Sequence, residues 1–233
     1  MTSPQGLATY ACQIMRKPNQ LRNKKILITY GPTWIPVDTT RIISNISTGA
    51  LGRLIARKIS RSGAKITVLE GPVAEPLKNK SVAVRRFSYY SDFAKLINQE
   101  LKKPYDIVIH AAAVADYKLK NPRLTKISSH HRSLSLELVP TKKIIYSIKK
   151  RAPKSCLVGF KLTSPLSKTS AARKAEYLFR DCKCDLVVVN SANSSRYRGF
   201  LINKDGSVLA EAFSRENMAK IIIKNLEAGC KNN

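Results

Sequence analysis

Acidic residues are scarce in this chain. Asp and Glu number 15 against 42 Lys and Arg in 233 residues, a formal net charge of +27 at pH 7. A chain this basic concentrates polyanions around itself, whether nucleotides, phosphorylated metabolites or nucleic acid. The cations are dispersed, with no Arg-rich tract and few aromatics among them, which argues against specific nucleic-acid binding. Long apolar runs are also missing. None nears the roughly 18 residues of a membrane-spanning helix, which excludes an integral membrane protein of that kind. Three His are too few for a His-rich metal site. The cysteines are five, an odd number, and Cys182-x-Cys184 has neither zinc-site spacing nor a second pair. No apolar signal segment precedes them, so a reducing, cytoplasmic setting with free thiols is expected. Both common phosphate-binding fingerprints, G-x-G-x-x-G and G-x-x-x-x-G-K-[ST], are absent, and NAD-type and P-loop readings lose their main support.

What is present suffices for a core: 43% of the residues are hydrophobic. Residues 1–23 contain no acid and no clear period, and Pro4, Gly6 and Pro18 suit a loose tail. Arg16, Lys17 and Arg22 give this tail a faint likeness to an organellar transit segment, the alternative reading. Residues 24–233 read as a single domain. Short apolar runs at 26–30, 65–69, 82–87, 106–110, 134–138, 156–160 and 185–189 have the character of buried strands. Helical patterns follow Ser47-Thr48-Gly49 and recur at 91–101, 141–150, 167–181 and 214–228, while residues 33–46 read as a loop. Asp205-Gly206 between two apolar segments signals a hairpin. Strands alternating with helices predict an α/β, Rossmann-like three-layer fold: a mostly parallel central sheet with a C-terminal antiparallel hairpin.

In such sheets ligands bind beyond the C-terminal ends of the strands. Gly31, Pro32 and Thr33 follow the first strand, then Asp38 and Arg41. The small residues Ser47, Thr48 and Gly49 expose backbone N–H groups at a helix start, a natural phosphate cradle. Ala111, Ala112 and Ala113 let a flat base or ribose approach the backbone, and Asp116 offers an acceptor beside them. Lys126, in a loop, suits a movable counter-charge for a triphosphate. A rival enzyme signal is the Y-x-x-x-K spacing of Tyr146 and Lys150 with Ser133 upstream, the proton-transfer set of an NAD(P)H reductase.

Taken in order, ITYGPTWIPVD (28–38), RIISNISTGALG (41–52), AAVADY (112–117), KISS (126–129), VGFKL (158–162) and DLVVVN (185–190) resemble one family. It is phosphopantothenoylcysteine synthetase (phosphopantothenate–cysteine ligase), the synthetase domain of the DNA/pantothenate metabolism flavoprotein family. The likeness runs over residues 25–228. KISS and GFKL, and the lack of a flavin-dependent decarboxylase half, resemble the stand-alone bacterial form. The resemblance implies that 4′-phosphopantothenate is activated by CTP, or by ATP, to an acyl-nucleotide with release of pyrophosphate. L-Cysteine then displaces the nucleotide monophosphate, and Mg²⁺ bridges phosphate oxygens. It implies catalytic roles for Asn45 and Lys126. It implies nucleotide contacts by Gly31, Ser47, Thr48, Gly49, Ala111, Ala112, Asp116, Lys126, Phe160 and Lys174. It also implies a homodimer, with the segments around Lys126 and Gly206 as candidates for reaching across. Three positions depart from the family pattern: Pro32 removes a backbone donor, Leu178 stands where a second Lys is usual, and Lys143 reverses a charge.

Overall fold

The computed structural model describes residues 20–130, 132–191 and 197–229. Most of the expected tail, residues 1–19, therefore lies outside the described residues. At its end, Leu21 is already buried in the core. The central sheet has eight strands. In chain order they are β1 (Lys25–Pro32), β4 (Lys65–Glu70), β5 (Ala83–Arg86), β6 (Ile107–Ala113), β9 (Cys156–Thr163), β10 (Leu186–Ser191), β11 (Gly199–Asn203) and β12 (Val208–Ala212). Four short strands lie outside that sheet: β2 (Trp34–Pro36) pairs with β3 (Ile42–Ser44), and β7 (Tyr117–Leu119) with β8 (Leu138–Pro140). Among the described residues the helices are α1 (Ala50–Ile59), α2 (Tyr90–Glu100), α3 (Ile145–Arg151), α4 (Lys168–Arg180) and α5 (Arg215–Glu227).

Across the sheet the order is β12-β11-β10-β9-β6-β1-β4-β5. Strands β5 to β10 run parallel, and β11 and β12 close the edge antiparallel, as the Asp205-Gly206 signal predicts. The six parallel strands thus follow the doubly wound order, whose topological switch lies between β1 and β6. Seven of the eight β1 residues are buried because helices cover both faces. Ile26, Ile28 and Tyr30 face α1 and α5, where they meet Ile55, Ile59, Met218 and Ile222. Leu27, one register position off, faces the other layer, with Phe93, Ile97, Ile148 and Leu178.

Four sequence expectations need correction. The strand expected over 134–138 begins only at Leu138 and lies outside the main sheet, since Leu134 and Leu136 are exposed and have no sheet face to cover them. The helix expected from 141 starts at Ile145, because the Thr141 N–H and hydroxyl are bound to the Asp116 and Ala115 carbonyls at 2.9 and 2.7 Å. The stretch 33–46 is not only loop but carries the β2–β3 arm. Cys182 and Cys184 are free and buried, as expected, whereas Cys156 is disulfide-bonded, so the expectation of free thiols does not extend to every cysteine.

Candidate active site at the switch point

The switch point sets β1 and β6 side by side, with Gly31 opposite Ala112 and Pro32 opposite Ala113. Gly31 has φ +86°, and a Cβ there would stand 3.0 Å from the Gly71 backbone and Val73, so only glycine fits the turn. Beyond it the chain is tied down repeatedly. The Thr33 N–H donates to the Ala113 carbonyl at 3.3 Å, and its buried hydroxyl accepts the Ala115 N–H at 2.9 Å. The β2–β3 arm then delivers Asn45 onto the end of β6, where its amide donates to the Ala113 and Val114 carbonyls at 3.3 and 3.1 Å. These bonds hold the amide at the crevice while the residue stays exposed.

Ser47 and Thr48 lead directly into α1. Its N-cap, Gly49, has φ +66° and supplies no side-chain cap, and no acid stands in the first turn. The Gly49 and Ala50 N–H groups have only long bonds, 3.4 Å, to the Ser47 and Thr48 hydroxyls. A helix start with weakly bonded donors and no acid in its first turn is suited to an anion. Thus Gly31, Asn45, Ser47, Thr48, Gly49, Ala111 and Ala112 all belong to the two strand ends and the helix start that meet here. Asp116 follows on the same connection and pairs with Lys143.

Lys126 is carried by a different device. The Asp38 carboxylate accepts from the Thr40 N–H and hydroxyl, the Arg41 N–H and guanidinium, and the Ile127 N–H at 3.0 Å. Arg41 also donates to the Ile127 carbonyl at 3.1 Å. The loop bearing Lys126 is therefore clamped to the β2–β3 arm. These donors, the Ile127 N–H foremost, hold the Asp38 carboxyl well below the usual carboxylate range. Lys126 itself is exposed and lines a cavity of about 290 Å³ with Arg123, Thr125 and the hydroxyl residues Ser128, Ser133 and Ser135. Phe160 sits half-buried on β9, packed against the α1–α5 side of the core. Lys174 is on the exposed face of α4, and among the described residues no hydrogen bond or ion pair joins it to the group at the switch point. Leu178 is buried on the opposite face of that helix, so it has become core.

The reductase constellation is not assembled in the same way: Ser133 lines the cavity beside Lys126, whereas Tyr146 and Lys150 lie on α3 and not along its wall. The place where a dinucleotide's ribose meets an acid, the end of the second strand, is also sealed. Glu70 stands there, 1% exposed, and takes Tyr30 Oη at 2.6 Å, Arg86 Nε at 2.9 Å and the Leu77 N–H at 2.7 Å.

Comparison with known proteins agrees with this architecture. Residues 21–229 match the DNA/pantothenate metabolism flavoprotein C-terminal domain. The chain belongs to this family. A coenzyme A biosynthesis bifunctional protein CoaBC from Thermococcus kodakarensis is 32% identical over 222 residues, 92% of this chain and 54% of that protein. The chain thus spans about half the length of that curated relative. A crystal structure of the C-terminal domain of a CoaBC protein superposes with TM-score 0.74 at 27% identity, covering 92% of this chain and all of the other. A Cab2 mutant in complex with phosphopantothenate-cysteine has the same fold, with TM-score 0.72 at 15% identity over 95% of this chain and 94% of that one.

The structure brings Gly31, Asn45, Ser47, Thr48, Gly49, Ala111 and Ala112 to one crevice; of the residues that support it, Thr33, Asp38 and Arg41 stand out in the sequence, whereas Tyr90 and Thr141 do not. Thr33, Asp38, Arg41, Tyr90 and Thr141 hold the site through bonds spanning up to 89 residues. The local signal at Asp38 is the Asp38-x-Thr40-Arg41 turn, in which an Asx-type bond of 2.8 Å already commits the carboxylate.

Proposed function

We propose that this chain is a phosphopantothenate–cysteine ligase of coenzyme A biosynthesis. The carboxylate of 4′-phosphopantothenate attacks the α-phosphorus of CTP, forming an acyl-cytidylate and releasing pyrophosphate. The amine of L-cysteine then attacks the acyl carbon, CMP leaves, and an amide results. The observation that carries this reading is the convergence at the switch point, in a member of this family, of the Asn45 amide, an uncapped helix start and the Ala111–Ala112 backbone. In this reading the Asn45 Nδ2 group exchanges its bonds to the Ala113 and Val114 carbonyls for one to the acyl phosphate, and the N–H groups at the helix start take phosphate oxygens. Lys126 swings over the α-phosphate to offset the charge that grows during attack. Asp116, Phe160 and Lys174 contact the nucleotide.

Magnesium enters as the counter-ion of the triphosphate. Among the described residues no group of three or more His, Cys, Asp or Glu could hold an ion. Asp38 is saturated and Asp116 is paired to a lysine, so the donor set does not suit a resident metal and no step is routed through one. A homodimer fits the exposed apolar residues of the β3 arm and the 117–138 segment, Ile42, Ile46, Tyr117, Leu124 and Leu134 among them. Cytoplasmic residence follows from the proposed pathway; among the described residues no helix is long and apolar enough to cross a membrane.

The test is pyrophosphate release from purified protein given 4′-phosphopantothenate, Mg²⁺ and CTP or ATP, with and without cysteine. Release with CTP, and amide formation once cysteine is added, are expected. Asn45→Ala and Lys126→Ala should each abolish turnover in protein that remains folded. Silence with both nucleotides from folded protein refutes the reading, and wild-type turnover in both variants refutes the assignment of roles.

A further inference from the structure

Asp116 does not stand alone at the end of β6. Its carboxylate is ion-paired to the ammonium of Lys143. Both partners are half-exposed, with 58% and 51% of their side chains accessible. An ion pair between groups so accessible contributes little to folding, so stability does not account for it. The backbones that carry the two groups are held firmly. The Asp116 carbonyl accepts the Thr141 N–H at 2.9 Å, and the preceding Ala115 is held by Thr33 and Thr141 at 2.9 and 2.7 Å. On the other side, Tyr90 Oη donates to the Lys142 carbonyl at 2.7 Å. The 141–143 segment is thereby locked to the strand end, with only the lysine stem free to adjust.

Tyr177 has the Lys161 ammonium 5.4 Å from its ring centre. Burial pushes the Tyr177 phenol up to about 12, with smaller contributions from Cys182, Tyr146 and Asp116. A bare carboxylate at this spot would repel the phosphates of an incoming nucleotide and the carboxylate that is to attack it.

We propose that Lys143 is a positioning residue for the nucleotide: its ammonium neutralises and aims the Asp116 carboxylate, so that a polyanion can be held there instead of repelled. The inference rests on the ligase reading above and deepens it. It assigns Lys143 no contact with the nucleotide, only action through Asp116.

The experiment is a calorimetric titration of the full chain with CTP at low ionic strength, on wild type, Lys143→Met, Lys143→Arg, Asp116→Asn and the double variant Asp116→Asn/Lys143→Met, with thermal midpoints in parallel. Lys143→Met should weaken CTP binding roughly three- to five-fold, the range open to an accessible ion pair, at an unchanged midpoint. Lys143→Arg should bind as wild type does. In the Asp116→Asn background the Met substitution should have no further effect. Wild-type affinity in Lys143→Met overturns the proposal. So does an equal loss in both backgrounds, which would mean direct contact with phosphate. A wild type that binds neither CTP nor ATP overturns the ligase reading together with this one, whereas a nucleotide-binding wild type with an unaffected Lys143→Met overturns this inference alone.

Discussion

Replacing Gly52 by Ala sets two physical expectations against each other. Gly52 lies within α1, and helix propensity alone predicts a gain of up to about 1 kcal/mol. The packing predicts the opposite. A Cβ at this position would stand 2.4 Å from Tyr30 Cβ, 2.8 Å from Cγ and 2.9 Å from Cδ1. Carbon atoms in contact prefer about 3.5–4.0 Å, so helix and strand must part by roughly 1 Å. Tyr30 cannot yield: it is 1% exposed, lies on a central strand, and its hydroxyl is bound to Glu70 at 2.6 Å. The helix must therefore lift. Overpacking of this kind costs about 1–3 kcal/mol, and with the propensity gain subtracted a loss of about 2 kcal/mol remains at the upper end. For a domain of this size that lowers Tm by about 4–8 °C. Denaturant melts of Gly52→Ala against wild type measure it directly. A variant more stable than wild type, as propensity alone predicts, would refute the claim that close approach to Tyr30 is what requires glycine. Because Ser47–Gly49 lead straight into the helix, the same variant should also bind CTP more weakly.

Three other outcomes concern Asp38 and His110. Asp38→Ala should release the loop that carries Lys126, seen as faster proteolysis within residues 123–128; equal cleavage rates would sink the clamp. Because the Asp38 carboxyl is held low, the clamp in wild type is complete above an unfolded-state value near 4 and fails only as pH falls below it. Pepsin cleavage of that loop should accordingly be slow at about pH 5 and rise steeply below about pH 3. His110 is buried, hydrogen-bonded to Thr29 Oγ1 at 2.9 Å, and held down at about 4 by burial. The unfolded chain takes up that proton near 6.5, so the wild type should lose stability as pH falls from about 6.5 to about 4, by about 3 kcal/mol in all. His110→Asn should lack that part of the slope in urea melts, and parallel profiles for the two proteins would refute it.

The parallel strands were legible in the sequence because a strand buried on both faces must be largely apolar, as β1, β6 and β10 are. The hairpin was legible because Asp205-Gly206 is a local signal, and Gly206 does take φ +82°. The crevice could be located from glycines and alanines at strand ends, since close approach requires small residues wherever it occurs. The β2–β3 and β7–β8 pairs were not legible: strands of three residues are too short to show a period, and only pairing across the arm defines them.

What the sequence by itself determined is the order of the main-sheet strands and the helices that cover them, the two-faced core and the strand ends at which to look for a ligand, all of which follow from hydrophobic period and turn chemistry within a few residues. What only the tertiary structure decided is which polar groups meet. Asp38 finds Ile127 across 89 residues, Thr33 finds Ala115 across 82, and Asp116 is neutralised by Lys143 across 27. A carboxylate among 42 cations has many possible partners, and the fold alone selects one, by bringing two backbones within a hydrogen bond of each other.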